Sequence, residues 1–148
     1  MKNLHSLYLF LAPLLACLFL SGCGASIESN TEDIVEELEN LAEILDNIED
    51  RDSAEDSIED IEAIADNIKE LRKERDDLLD EMSKSELRDL EDLIEDDYED
   101  RFEDIIDDIR DAAEDIRKED RSWGKDVLGA ADDVFEQFKK IDFKGKGD

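Results

Sequence analysis

The stretch IVEELENLAEILDNI, residues 34–48, decides the fold. Ile34, Leu38, Leu41, Leu45 and Ile48 stand 4, 3, 4 and 3 residues apart. With about 3.6 residues per turn, that spacing puts all five on one face of a helix and leaves Glu36, Glu37, Glu39, Glu43 and Asp46 outside it. The stretch predicts an amphipathic helix of roughly 20 residues, whose apolar stripe has to be covered by another element.

The same spacing continues along the chain. Asp52-Ser53-Ala54-Glu55 reads as an N-cap and its N3 acid, so a second helix is expected to start there. Ala54, Ile58, Ile61, Ala65 and Ile68 line it, and Ile64, Leu71, Leu78 and Met82 extend the stripe as it drifts. Ser83-Lys84-Ser85-Glu86 is a capping-box signature that marks a third start. From there Leu87, Leu90, Ile94, Tyr98, Phe102, Ile105, Ile109, Ala112 and Ile116 form a long apolar face. After a break at Arg121-Ser122-Trp123-Gly124, with Ser122 as cap, Val127, Ala131, Val134, Phe138 and Ile141 repeat the 4, 3 spacing. Trp123 is expected to seal a bundle end rather than anchor a partner.

No β-rich run bounded by turn signals interrupts this pattern, and the only proline is Pro13. The chain is therefore expected to be all-α: a three-helix antiparallel bundle with a shorter fourth C-terminal helix. A coiled-coil oligomer is the alternative, because 4, 3 spacing is also a zipper seam. The words Ile58-Glu59-Asp60-Ile61, Leu90-Glu91-Asp92-Leu93, Phe102-Glu103-Asp104-Ile105 and Ala113-Glu114-Asp115-Ile116 recur without a fixed period, so no solenoid is expected.

The 47 Asp and Glu against 18 Lys and Arg give a net charge of −29, which argues against nucleic-acid binding, since that needs a basic footprint. The acid is concentrated: residues 28–68 hold 17 Asp and Glu against the single base Arg51. Farther on, Asp97 with Arg101, Glu114 with Lys118 and Glu136 with Lys140 are expected to pair at i,i+4.

The N-terminal residues carry a different signal. Lys2 precedes an apolar run from Leu7 to Leu20, too short for a membrane-spanning helix and suited to a secretory leader. Leu20-Ser21-Gly22-Cys23 then resembles the lipobox of bacterial lipoprotein precursors. The resemblance implies that residues 1–22 are removed and that Cys23, with its thiol lipidated, becomes the first residue. Two or three acyl chains would hold such a protein at a membrane durably, whereas one holds it only marginally. In diderm hosts, Gly24 rather than an aspartate after the cysteine implies the outer membrane. A plain signal peptide with an incidental cysteine is the alternative. The expected organisation is thus leader 1–22, lipidated linker 23–30, bundle 31–143 and frayed tail 144–148. Around residues 48–71 the chain is also similar to small secreted helical bacterial proteins, a likeness that implies a hairpin and no activity.

Cys17 and His5 leave with such a leader, so the remainder has no cysteine but Cys23 and no histidine. Disulfides, Cys/His zinc sites and His-dependent triads are then excluded. No cofactor is expected, and no catalytic residue, because the carboxylates are so many that no pair stands out. The expected function is a membrane-tethered structural or protein-interaction module of the cell envelope, favouring a basic envelope protein as partner. One alternative is divalent-cation binding by the like-charged stripe Glu55, Glu59, Glu62 and Asp66, although Asp50-Arg51-Asp52 lacks the rest of a calcium loop. Another is an acidic inhibitor or immunity-type protein that covers a basic surface.

Overall fold

The computed structural model describes residues 26–118 and 123–143, and every regular element among them is a helix. The lipobox, Ser122 and the tail 144–148 lie outside the described residues. In chain order the elements are α1 (Ile27–Asp46), α2 (Arg51–Glu81), α3 (Lys84–Leu93), a π-helical turn (Ile94–Tyr98), α4 (Glu99–Lys118) and α5 (Gly124–Phe138).

Side-chain caps set the starts of the first three. Ser26 accepts the Ser29 N–H at 3.0 Å, so α1 begins at Ile27, inside the stretch 23–30 expected as linker. The start of α2 differs from the expected one: the N-cap is Asp50, not Asp52. Asp50 accepts the Ser53 N–H at 2.9 Å while the Ser53 hydroxyl accepts the Asp50 N–H at 3.1 Å, a reciprocal box closed two residues earlier. Glu55, freed from capping, binds Arg51 instead. The box at Ser83 and Glu86 forms as expected. α5 starts after Trp123 without a side-chain cap, and Trp123 is half-buried against the core.

The expected long third helix is one path with a wide turn in it. Its apolar positions Leu90, Ile94, Tyr98 and Phe102 are spaced 4, 4, 4, which at about 100° per residue would rotate the stripe by about 120° in a uniform α-helix. The π turn absorbs one residue, and all four side chains are buried.

Cross-helix contacts give the directions. Asn30 bonds the Leu71 carbonyl and Asn67 bonds Glu37, so α1 and α2 are antiparallel. Arg101 reaches Glu32 while Ala42 and Asp46 share a cleft with Asp108 and Asp115, so α1 and α4 are parallel. Arg72 meets Gln137 and Arg75 meets Asp142, which makes α2 and α5 parallel. α1 packs on α2 and α4, and α5 packs most extensively on α2 and more lightly on α4. Among the described residues the core runs from Ile34 and Leu38 through Ile61, Ile68, Ile109 and Val134 to Ile141.

Candidate functional site

The stripe Glu55, Glu59, Glu62 and Asp66 is exposed along α2. Glu55 accepts from Arg51 at 2.6 Å and Asp66 is paired with Lys69 at 3.6 Å, so its two ends are already neutralised within the helix. Among the described residues no group of three or more acids forms a cluster able to hold a metal ion. A stripe on one convex helix face cannot wrap an ion, since calcium takes six to eight oxygens from several directions.

Acid does converge beside α1. Asp33, Glu36, Glu37, Glu70 and Glu74 line a cleft between α1 and α2 with Asn40 and Asn67. Glu43, Asp46, Asp108, Asp111 and Asp115 line another between α1 and α4. Partial burial pushes the Glu37 carboxyl up; the Asn67 amide opposes this at 2.8 Å, and the charges of Glu36 and Asp33 add to it. The main cation on this side is Arg101. It does not pair with Asp97 but bridges Glu32 at 2.8 Å and Glu39 at 2.9 Å, and those bonds raise its pKa. The Glu114–Lys118 and Glu136–Lys140 pairs form as expected.

Sequence reading missed Arg75, which is fully buried. Its guanidinium donates to the Thr31 hydroxyl at 2.9 Å, the Asn30 amide oxygen at 3.4 Å, and the main-chain carbonyls of Asp142 at 2.8 Å and Phe143 at 3.3 Å. It also lies 4.8 Å from the centre of the Phe143 ring. Burial lowers its pKa to about 10, against the charges of Asp142 and Asp76, so it stays cationic at neutral pH. These bonds tie the start of α1 to the chain that follows α5. The signal was present: Arg75 stands seven residues after Ile68 and seven before Met82, on the seam.

Between α4 and α5 runs a groove of opposite character. Ile106, Ile109, Ala113, Leu128, Ala131, Phe135 and Phe138 line a section of about 340 Å³, with Arg110, Arg117, Lys139 and Asp132 around it. A second section of about 370 Å³ shares Phe138 and Lys139 and continues to Ile94, Phe102, Ile141 and Phe143. Its aromatic wall is tight, with Phe102 5.1 Å from Phe143 and 5.6 Å from Phe138 between ring centres. Sequence reading assigned Phe138 to a core stripe; it is in fact only half-buried, as are Phe135 and Phe143, which no stripe included.

No family model, no curated protein and no solved structure matches the chain. Among the described residues no helix is long and apolar enough to cross a membrane.

Proposed function

We propose that this chain is a lipoprotein of the cell envelope, tethered through acyl groups on Cys23, whose acidic helical body is a structural or interaction module for a basic envelope protein. Outer-membrane retention belongs to the proposal if the host is diderm. The observation that carries the interaction reading is the pair of acidic clefts flanking α1, where carboxylates from neighbouring helices face one another. Such clefts raise the local concentration of basic partners and repel anionic lipid, which holds the body off the membrane to which it is tied. In this reading α1, α2 and the 84–118 helix are the three long members of an antiparallel bundle, and α5 is the shorter fourth. The stripes that a coiled-coil oligomer would share between chains are already covered within one.

The protein is not proposed to be an enzyme. Cation binding through Glu55, Glu59, Glu62 and Asp66 is the weaker reading, because those side chains are spread along one exposed face. An inhibitor of the immunity type would use the same acidic clefts and differs only in what its partner does.

Two measurements test the proposal. The intact mass of protein extracted from membranes should show residues 1–22 absent and acyl groups on Cys23; a free thiol there ends the lipoprotein reading. In living cells, crosslinking should capture a basic envelope protein, and Glu36→Gln with Glu37→Gln and Asp111→Asn with Asp115→Asn should abolish that capture. Unchanged capture would remove the clefts from the account.

A further inference from the structure

Arg75 is the one buried cation among the described residues, and its four hydrogen bonds all end on uncharged oxygens. The guanidinium serves two distant parts of the chain with different edges. Nη1 donates to the start of α1, at the Thr31 hydroxyl and the Asn30 amide oxygen. Nε and Nη2 donate to the successive carbonyls of Asp142 and Phe143, in the segment 139–143 that leaves α5. Beyond Arg75, that segment is held by the N–H groups of Lys139, Lys140 and Ile141, which reach back to the carbonyls of Phe135, Gln137 and Phe138 at 2.9, 3.1 and 2.9 Å. The Ile141 side chain is buried, and the Phe143 ring stands against Arg75 on one side and Phe102 on another. α1 and α5 share no extensive contact, so the guanidinium bridges them.

A buried ion does not stay half-bonded. Loss of either pair of acceptors leaves guanidinium N–H groups unmet in a dry site, and the long side chain then gains by swinging into water. The acceptors are uncharged on both sides, so neither pair brings a countercharge that would hold Arg75 without the other. The arrangement is therefore either closed on both sides or open on both.

We propose that Arg75 is the pin of a two-way clasp: the start of α1 and the segment 139–143 close over it together and open together, so that an event at one end of the described chain is felt at the other. Linkage makes the effect mutual, since whatever loosens α1 from the pin loosens the segment by the same factor. Such openings are local and lie below global unfolding. A tether at Cys23, three residues before Ser26, would load the clasp. The clasp does not rest on that tether, and its test reads only amides of the helical body.

The test is hydrogen exchange at single amides of the purified protein. Leu41 and Ile61 gauge global stability, being about 15 Å along α1 from Thr31 and about 21 Å along α2 from Arg75 at a rise of about 1.5 Å per residue. Thr31→Val removes an acceptor on the α1 side and should speed exchange at Lys140 and Ile141 at least ~5-fold beyond any change at Leu41 and Ile61, the lower end of usual couplings. Phe143→Ala, on the other side of the pin, should do the same at Asn30 and Glu32. With Arg75→Met in place, Thr31→Val should add nothing at Ile141. Arg75→Lys, which keeps the charge but loses the planar fork, should uncouple the two sides likewise and serves if the methionine variant does not fold. Exchange at Ile141 that only follows Leu41 and Ile61, a response confined to the substituted side, or an effect of Thr31→Val on Ile141 that survives loss of the guanidinium overturns the proposal.

Discussion

Beside α1, carboxylates from two neighbouring helices meet across each cleft, and Arg101 alone bridges Glu32 and Glu39. Between α4 and α5 the corresponding trough is apolar, wide enough to leave Phe135 and Phe138 half-exposed, and bordered by Arg110, Arg117, Lys139 and the single acid Asp132. Both sides are built from the same helical wording, an apolar residue followed by acids. The difference is packing. α1 is held closely on two sides, so its stripe is sealed and its acids are forced toward those of its neighbours. α5 has only 15 residues and lies mainly on α2, so its contact with α4 stays open along the groove. A short helix in contact mainly with α2 thus leaves an apolar cleft along α4.

If helical register separates the two sides, single-residue deletions should have opposite outcomes, and these are the largest effects expected. Deleting Asp96 inside the π turn removes the extra residue and keeps Leu90 and Phe102 on one face, with a drift of about 20° instead of about 120°. The protein should remain helical and cooperative. Deleting Asp104 inside α4 turns the downstream stripe by about 100°, exposing Ile109 and Ile116, and should abolish cooperative unfolding. Thermal melts of the two deletions decide this, and equal loss in both would mean that the wide turn is not a register device.

Arg75 joins the two sides, since it bonds both the start of α1 and the chain after α5. Arg75→Met keeps bulk but leaves the Thr31 hydroxyl, the Asn30 amide and two carbonyls without their donor. At about 1–3 kcal/mol for each buried group left unmade, with some regained by water at the bundle end, the loss should be about 3 kcal/mol or more in urea unfolding. Arg101→Ala sharpens the contrast. Its carboxylate partners are half-exposed, and such pairs are worth about 0–1 kcal/mol, so a loss near that of Arg75→Met would overturn the distinction between the two arginines.

The helices were legible because each stripe repeats a spacing that only one face of a helix satisfies, and the start at Ser83 because its box has one reading. The start of α2 was misplaced because Asp50-Arg51-Asp52-Ser53 offers two overlapping caps, and only the turn from α1 selects between them. The π turn was written in the 4, 4, 4 spacing from Leu90 to Phe102, which a count of apolar positions passes over. Arg75 looked like one surface base among many, although its place on the seam marked it. The groove has no local signature at all. Phe138 read as core because its exposure depends on how far α5 stands from α4, a distance set by packing on α2. The stripe Glu55, Glu59, Glu62 and Asp66 was visible as a pattern, but a pattern on one helix says nothing of what faces it.

The smallest effect tests the comparison most directly, because it concerns the charge of the acidic side itself. Raising ionic strength from about 0.01 M to about 0.1 M shortens the screening length from about 30 Å to about 10 Å, which weakens repulsion across the clefts while leaving close pairs such as Arg101–Glu32 nearly intact. The melting temperature of residues 26–148 should therefore rise with sodium chloride by a few degrees. Replacing Glu36, Glu37, Asp111 and Asp115 by their amides should raise the low-salt value and flatten the dependence. A melting temperature that is flat or falls with salt in the unsubstituted protein would mean that local ion pairs dominate its electrostatics, and the acidic clefts would lose their place as the charged working face.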